Sequence, residues 1–208
     1  MLRKMFVLTV TLGLAGLVGC STTRQERSKN ASTSMRELNQ LLSQAGTQTE
    51  KLQASVDKLV KAGPDDLRKA YEQFAKDAGT LRSLAGDARA QGKAMKKSSE
   101  AYFSSWEKEL SQISNSDLKK MSKERQALLQ GEYGDIAAAM SALGKAYTAY
   151  EKDLADMERF LGNDLTRAGS ELAKPFLTRL NQEADTVQSA TRKAQAAISH
   201  LETVLKPK

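Results

Sequence analysis

The feature that most constrains this chain is an alternation of apolar residues three and four apart that recurs in four long stretches. A spacing that averages 3.5 residues keeps one seam of an α-helix facing a partner, so each stretch predicts a helix that must pack lengthwise on another. The first runs through Met35, Leu38, Leu42, Ala45, Thr49, Leu52, Val56 and Leu59. The second begins at Leu67, Tyr71 and Phe74, continues through Ala78, Leu81, Ala85, Ala88, Gly92 and Met95, and reaches Tyr102, Trp106, Leu110 and Ile113. Leu129, Tyr133, Ile136, Met140, Leu143, Tyr147, Tyr150, Leu154, Met157 and Leu161 form the third, and Val187, Thr191, Ala194, Ile198, Leu201 and Leu205 the fourth. The middle of the second seam is made of small residues, which lets a partner backbone approach but buries less apolar area per turn.

The breaks between stretches are short. Ser34-Met35-Arg36-Glu37 has the capping-box pattern and predicts a helix start. Gly63-Pro64-Asp65-Asp66 ends the first helix and opens the second, Ser114-Asn115-Ser116-Asp117 supplies cap-forming residues, and Gly162-Asn163-Asp164 closes the third. A kink is expected near Pro175 in a fourth helix covering about 165–205. Linkers this short force neighbouring helices antiparallel. The expectation is therefore an all-α fold, an elongated coiled-coil-like bundle of about four long helices running up-down-up-down over residues 34–208. An open coiled coil that completes its core by dimerising has the same periodicity. Composition agrees with helix: aromatics are 5% of the 208 residues and only three prolines interrupt them.

Residues 1–19 read differently. Arg3 and Lys4 precede an uncharged, mostly apolar run from Met5 to Leu17, too short for a membrane-spanning helix, which needs about 20 apolar residues. The run ends in Leu17-Val18-Gly19-Cys20, which resembles the lipobox of bacterial lipoproteins. The resemblance implies cleavage before Cys20, a thioether-linked diacylglycerol on its thiol and an acyl chain on its new amino terminus, and so a stable membrane anchor. Residues 20–33 would then be the lipidated cysteine and a flexible tether. By the same resemblance Ser21, standing where Asp would retain the protein in the inner membrane, points to the outer membrane, inner leaflet, facing the periplasm. Without Arg3 and Lys4 the mature chain carries 30 basic and 25 acidic residues.

The mature chain also resembles an uncharacterised family of helical bacterial proteins with a domain of unknown function. The residues carrying this are the stretch from Tyr102 to Leu118, with its Trp, Glu-Leu and Ile-Ser-Asn-x-x-Leu, then Phe160-Leu161 with Asn163 and Leu165, and the Ala/Ile-rich last helix. It implies a fold and a location over nearly the whole mature chain, and no activity.

No catalytic or metal-ligating constellation is present in the sequence. One cysteine and one histidine, His200, exclude a cysteine-rich metal site, and no phosphate-cradling loop or nucleophile elbow occurs. The expectation is a protein that is not an enzyme, with no metal, no cofactor beyond the covalent lipid, no small-molecule substrate and, because export removes it, no nucleic-acid partner. Such a chain suits a spacer, adaptor or interaction scaffold that binds an envelope protein or itself. The alternative is a binding module for anionic lipid, lipopolysaccharide or peptidoglycan. The terminal Lys208 resembles the peptidoglycan-linked end of the major outer-membrane lipoprotein. Folding the second helix onto a first helix that starts at Ser34 carries residues from about 94 to 132 past that start. This makes Trp106, Lys119, Lys120 and Lys123 a candidate surface-binding tip beside the anchor.

Overall fold

The computed structural model describes residues 24–205, which form four helices: α1 (Arg24–Lys61), α2 (Leu67–Leu110), α3 (Ser116–Asn163) and α4 (Arg167–Leu205). Each packs against two neighbours, α1 on α2 and α4, and α3 on α2 and α4, so the ring closes within one chain. The closed ring decides against an open coiled coil that needs a second copy to finish its core.

Polar contacts between helices give the direction of each pair. Gln48 Nε2 donates to the Asp77 backbone carbonyl at 3.0 Å, and Gln91 Nε2 to the Ser34 carbonyl at 3.2 Å, so numbers rise on α1 as they fall on α2. The same inverse order holds for Arg125 with Val204 and Arg179 with Asp153 on α3 and α4, and for Trp106 with Ser122 and Tyr71 with Glu158 on α2 and α3. All sequential neighbours are antiparallel, without crossover connections.

The seams face inward as their spacing predicts. Leu38, Leu52, Phe74, Leu81, Ile136, Tyr150, Leu154 and Ile198 are all essentially inaccessible to solvent. The core is nevertheless in two parts. One cluster is built around Leu52, Phe74, Tyr150 and Leu177, and the other around Met35, Trp106, Tyr133 and Ile198. Between them the small residues Ala45, Thr49, Ala85, Ala88 and Thr191, with Leu81, Met140 and Tyr147, line a cavity of about 80 Å³, where small side chains leave part of the space unfilled.

One helix start and one helix face differ from expectation. α1 begins at Arg24, ten residues before the capping-box serine. The seam reaches back one further step, to Ala31, which is buried four residues before Met35, and nothing between Arg24 and Ser34 is Gly or Pro. Ser34 and Glu37 therefore lie inside the helix, and both accept from Gln91 rather than capping α1. Residues 24–33, read as part of a flexible tether, are helical. In α4 the first half also packs inward, through Gly169, Ala173, Leu177, Leu180 and Ala184, and the helix runs unbroken through Pro175.

The turns are built by the residues that sit in them. Gly63 and Asp66 close a tight turn with Pro64 at its second position, a place its fixed φ favours. Asn115 is the N-cap of α3, its side-chain oxygen accepting from the Asp117 and Leu118 amides at 3.0 Å each. Thr166 precedes α4 and its hydroxyl oxygen accepts from the Gly169 amide at 3.1 Å while it donates to Asp164. Gly169 is needed there for close approach: a Cβ would lie 2.4 Å from the Asp164 carbonyl oxygen.

Candidate functional site

The α2–α3 turn protrudes. Ser34 stands opposite Gln91, so ten residues further back Arg24 comes level with Ala101, and α2 continues nine more residues to Leu110, roughly 14 Å at the helical rise. On the other side the Arg125 guanidinium donates to the Val204 carbonyl at 2.8 Å, one residue before α4 ends, while α3 starts nine residues earlier at Ser116. Residues 102–125 thus form a two-helix prong that outreaches both α1 and α4. It is shorter than the overhang expected from residue 94 to 132, because α1 starts earlier than Ser34.

Trp106 does not lie on the surface of this prong. Only 7% of it is exposed, and its indole N–H donates to Ser122 Oγ at 2.9 Å. Tyr102 packs edge-on against it at 5.6 Å between ring centres and against Phe103 at 5.3 Å, and Phe103 meets Tyr133 at 5.4 Å. This aromatic chain joins α2 to α3 within the core cluster that also takes in Met35 of α1 and Ile198 of α4. Trp106 at seam spacing fills the inside of the prong, so it drops out of the surface-binding set. Lys119 is half-buried, whereas Lys120 and Lys123 are exposed, and the prong brings all three together.

The sequence reading missed the apolar part of this surface. Leu118, Met121 and Leu128 are 57%, 65% and 48% exposed. They share one face of α3 with Arg125, which reaches the last turn of α4, so this is the face that α4 would cover if it were longer. Their spacing is itself helical but out of phase with Leu129, Tyr133 and Ile136, and that second stripe was the available signal.

A different polar cluster joins α3 to α4 nearer the opposite end. The Arg179 guanidinium pairs with the carboxylates of Asp153 and Glu183 and lies over the Phe176 ring at 5.6 Å. Burial pushes the Glu183 carboxyl above its ordinary range, and the neighbouring Asp153 carboxylate, with which it shares a hydrogen bond, adds to the rise while Arg179 opposes it. The hydroxyl of Tyr150 is buried without a hydrogen-bond partner, as is one oxygen of Glu183. Beside them Met157, Phe160, Phe176 and Leu180 wall an open groove of about 400 Å³. The arrangement can hold a proton between two carboxyls and pins two helices together.

His200 has no matched acid at metal-ligand spacing in the sequence, but folding brings Glu132 of α3 within 3.3 Å of its Nε2. Among the described residues no group of three or more His, Cys, Asp or Glu side chains is placed to hold a metal ion, and no helix is long and apolar enough to cross a membrane. Leu17, Val18, Gly19, Cys20 and Lys208 lie outside the described residues.

No curated protein and no solved structure matches the chain. A family match does exist, to proteins of unknown function designated DUF2959, and it spans residues 26–166, that is α1, α2 and α3. It ends before α4, so the Ala/Ile-rich last helix is not part of it and the resemblance is narrower than the whole mature chain. With more than half of its residues matched, the chain belongs to the DUF2959 family of proteins of unknown function.

Proposed function

We propose that this protein is a lipid-anchored, non-enzymatic component of the bacterial envelope, a rigid helical spacer or adaptor held by Cys20 at the outer membrane and facing the periplasm. The observation that carries the reading is the order of the N-terminal residues. A positive pair, an apolar run and Leu17-Val18-Gly19-Cys20 are followed after only three residues by the first turn of α1. An anchor so close to a helix holds one defined end of the bundle, the end with the prong, against the membrane. The other end, with the Gly63–Asp66 turn, then stands off by roughly the length of α3, about 70 Å at the helical rise. A closed ring of helices packed on two core clusters resists bending, which suits a spacer that presents its side to an envelope protein.

The test compares wild type with Cys20→Ala in intact envelopes, by intact mass of the mature chain, membrane fractionation, and crosslinking with pull-down. Acylated wild type in the outer-membrane fraction, with Cys20→Ala released yet still crosslinked to the same partner, is the expected result. An unmodified Cys20, or a Cys20→Ala chain that fractionates like wild type, overturns the reading.

A further inference from the structure

The end of the α2–α3 prong presents apolar and cationic side chains that no helix among the described residues covers. Over residues 116–125 four cations, Lys119, Lys120, Lys123 and Arg125, stand against two acids, Asp117 and Glu124. Leu118 and Met121 are more than half exposed among them. In a helix each Cα–Cβ bond tilts toward the N-terminus, and the N-terminus of α3 is the prong's end, so these side chains lean outward along the bundle axis. The Asn115 side chain already occupies the first free amides of α3, so the turn brings fewer orphan donors to whatever it touches.

We propose that the end of this prong seats on the anionic headgroup layer of the bilayer that holds the anchor, with Leu118 and Met121 entering the interface and Lys119, Lys120 and Lys123 engaging lipid phosphates. The proposal rests on Cys20 being the acylated residue. The prong lies at the same end of the bundle as Arg24. The four residue steps from Cys20 to Arg24 span at most about 14 Å, so the anchor keeps this end of the bundle, and the prong with it, within reach of the headgroups. A leucine and a methionine flanked by lysines are the side chains that gain from that position, by apolar burial and by attraction to anionic lipid.

The test uses the mature acylated chain reconstituted in vesicles of phosphatidylcholine with phosphatidylglycerol. A nitroxide is attached at Leu118→Cys, and in a second sample at Leu172→Cys, a comparably exposed position at the far end of the bundle. The label at 118 is expected to be relaxed by lipid-soluble oxygen and shielded from a water-soluble nickel chelate, while the label at 172 behaves as in water. Changing Lys119, Lys120 and Lys123 together to Glu weakens seating on the order of a hundredfold and returns the label at 118 to the aqueous pattern. Identical behaviour at 118 and 172 overturns the proposal. So does shielding at 118 from oxygen and nickel alike that grows with the protein-to-lipid ratio, which would assign this face to a second copy. Intact mass of the same sample reads the anchor separately. Acylated Cys20 with 118 in water sinks the seated prong alone, whereas 118 in lipid without acylation sinks the anchor alone.

Discussion

Tyr150→Phe is expected to stabilise the bundle. The ring of Tyr150 is fully buried at the centre of one core cluster, and its hydroxyl has no hydrogen-bond partner. Its pKa is held well above the ordinary phenol value, first by burial and then by the nearby Glu183 carboxylate. In the unfolded chain the same hydroxyl is hydrated, so folding strips it of water and returns nothing. Leaving one buried neutral group unpaired costs about 1–3 kcal/mol. The phenylalanine ring keeps the apolar contacts and leaves only an oxygen-sized gap, a small subtraction from that gain. A net stabilisation of about 1 kcal/mol follows, equivalent to a Tm rise of roughly 2–4 °C for a chain of this size. Urea unfolding followed by far-UV circular dichroism measures it, with the denaturant slope expected to stay constant. A loss of about 1 kcal/mol or more would refute the reasoning, because it would mean that the hydroxyl is bonded in the native protein. A double-mutant cycle with Glu183→Gln would then show whether Glu183 is its partner, through a coupling energy distinct from zero.

Glu183→Gln has a pH signature of its own. A carboxyl whose native pKa is raised above its unfolded value makes the protein gain stability as pH falls through the native pKa, so the ionised form is the burden at neutral pH. The variant is expected to melt higher than wild type at pH 7 and to converge with it near about pH 4, where both states of wild type take up the proton; a difference constant with pH would contradict this. Glycine substitutions should split by surroundings. Gly134→Ala, whose new Cβ meets nothing within 4 Å, should stabilise α3 by about 0.5–1 kcal/mol. Gly169→Ala forces a Cβ to within 2.4 Å of the Asp164 carbonyl oxygen and should cost about 1–3 kcal/mol, and equal effects on thermal melting at the two sites would rule out the close approach as the cause. At alkaline pH, burial pushes the phenols of both Tyr133 and Tyr147 up to about 12. Stability is expected to hold below about pH 10 and to fall between about 10 and 12 as the unfolded chain loses these protons first. Phenolate absorbance of the folded chain should correspondingly lag that of the urea-unfolded chain, and superimposable titrations would exclude the effect.

The sequence by itself determined the helices, most of their inward faces and the antiparallel order, because each follows from local information. A 3-4 repeat makes a seam, Asn115 and the Gly63–Asp66 turn mark where helices stop, and short linkers leave neighbours only one direction. What only the tertiary structure decided are the matters that depend on where other helices end. α4 carries two apolar stripes in its first half, and only the positions of α1 and α3 choose Ala173, Leu177 and Leu180 for the core and leave Leu172 and Phe176 outside. Trp106 stands at seam spacing, which favours the core, but only Ser122 and Tyr102 around it take it out of the tip. Leu118 and Met121 are exposed for no property of their own; α4 ends level with Arg125, and the face it would have covered is left to solvent. Helical periodicity is a property of neighbouring residues, whereas burial is settled by the relative lengths of segments far apart in the chain.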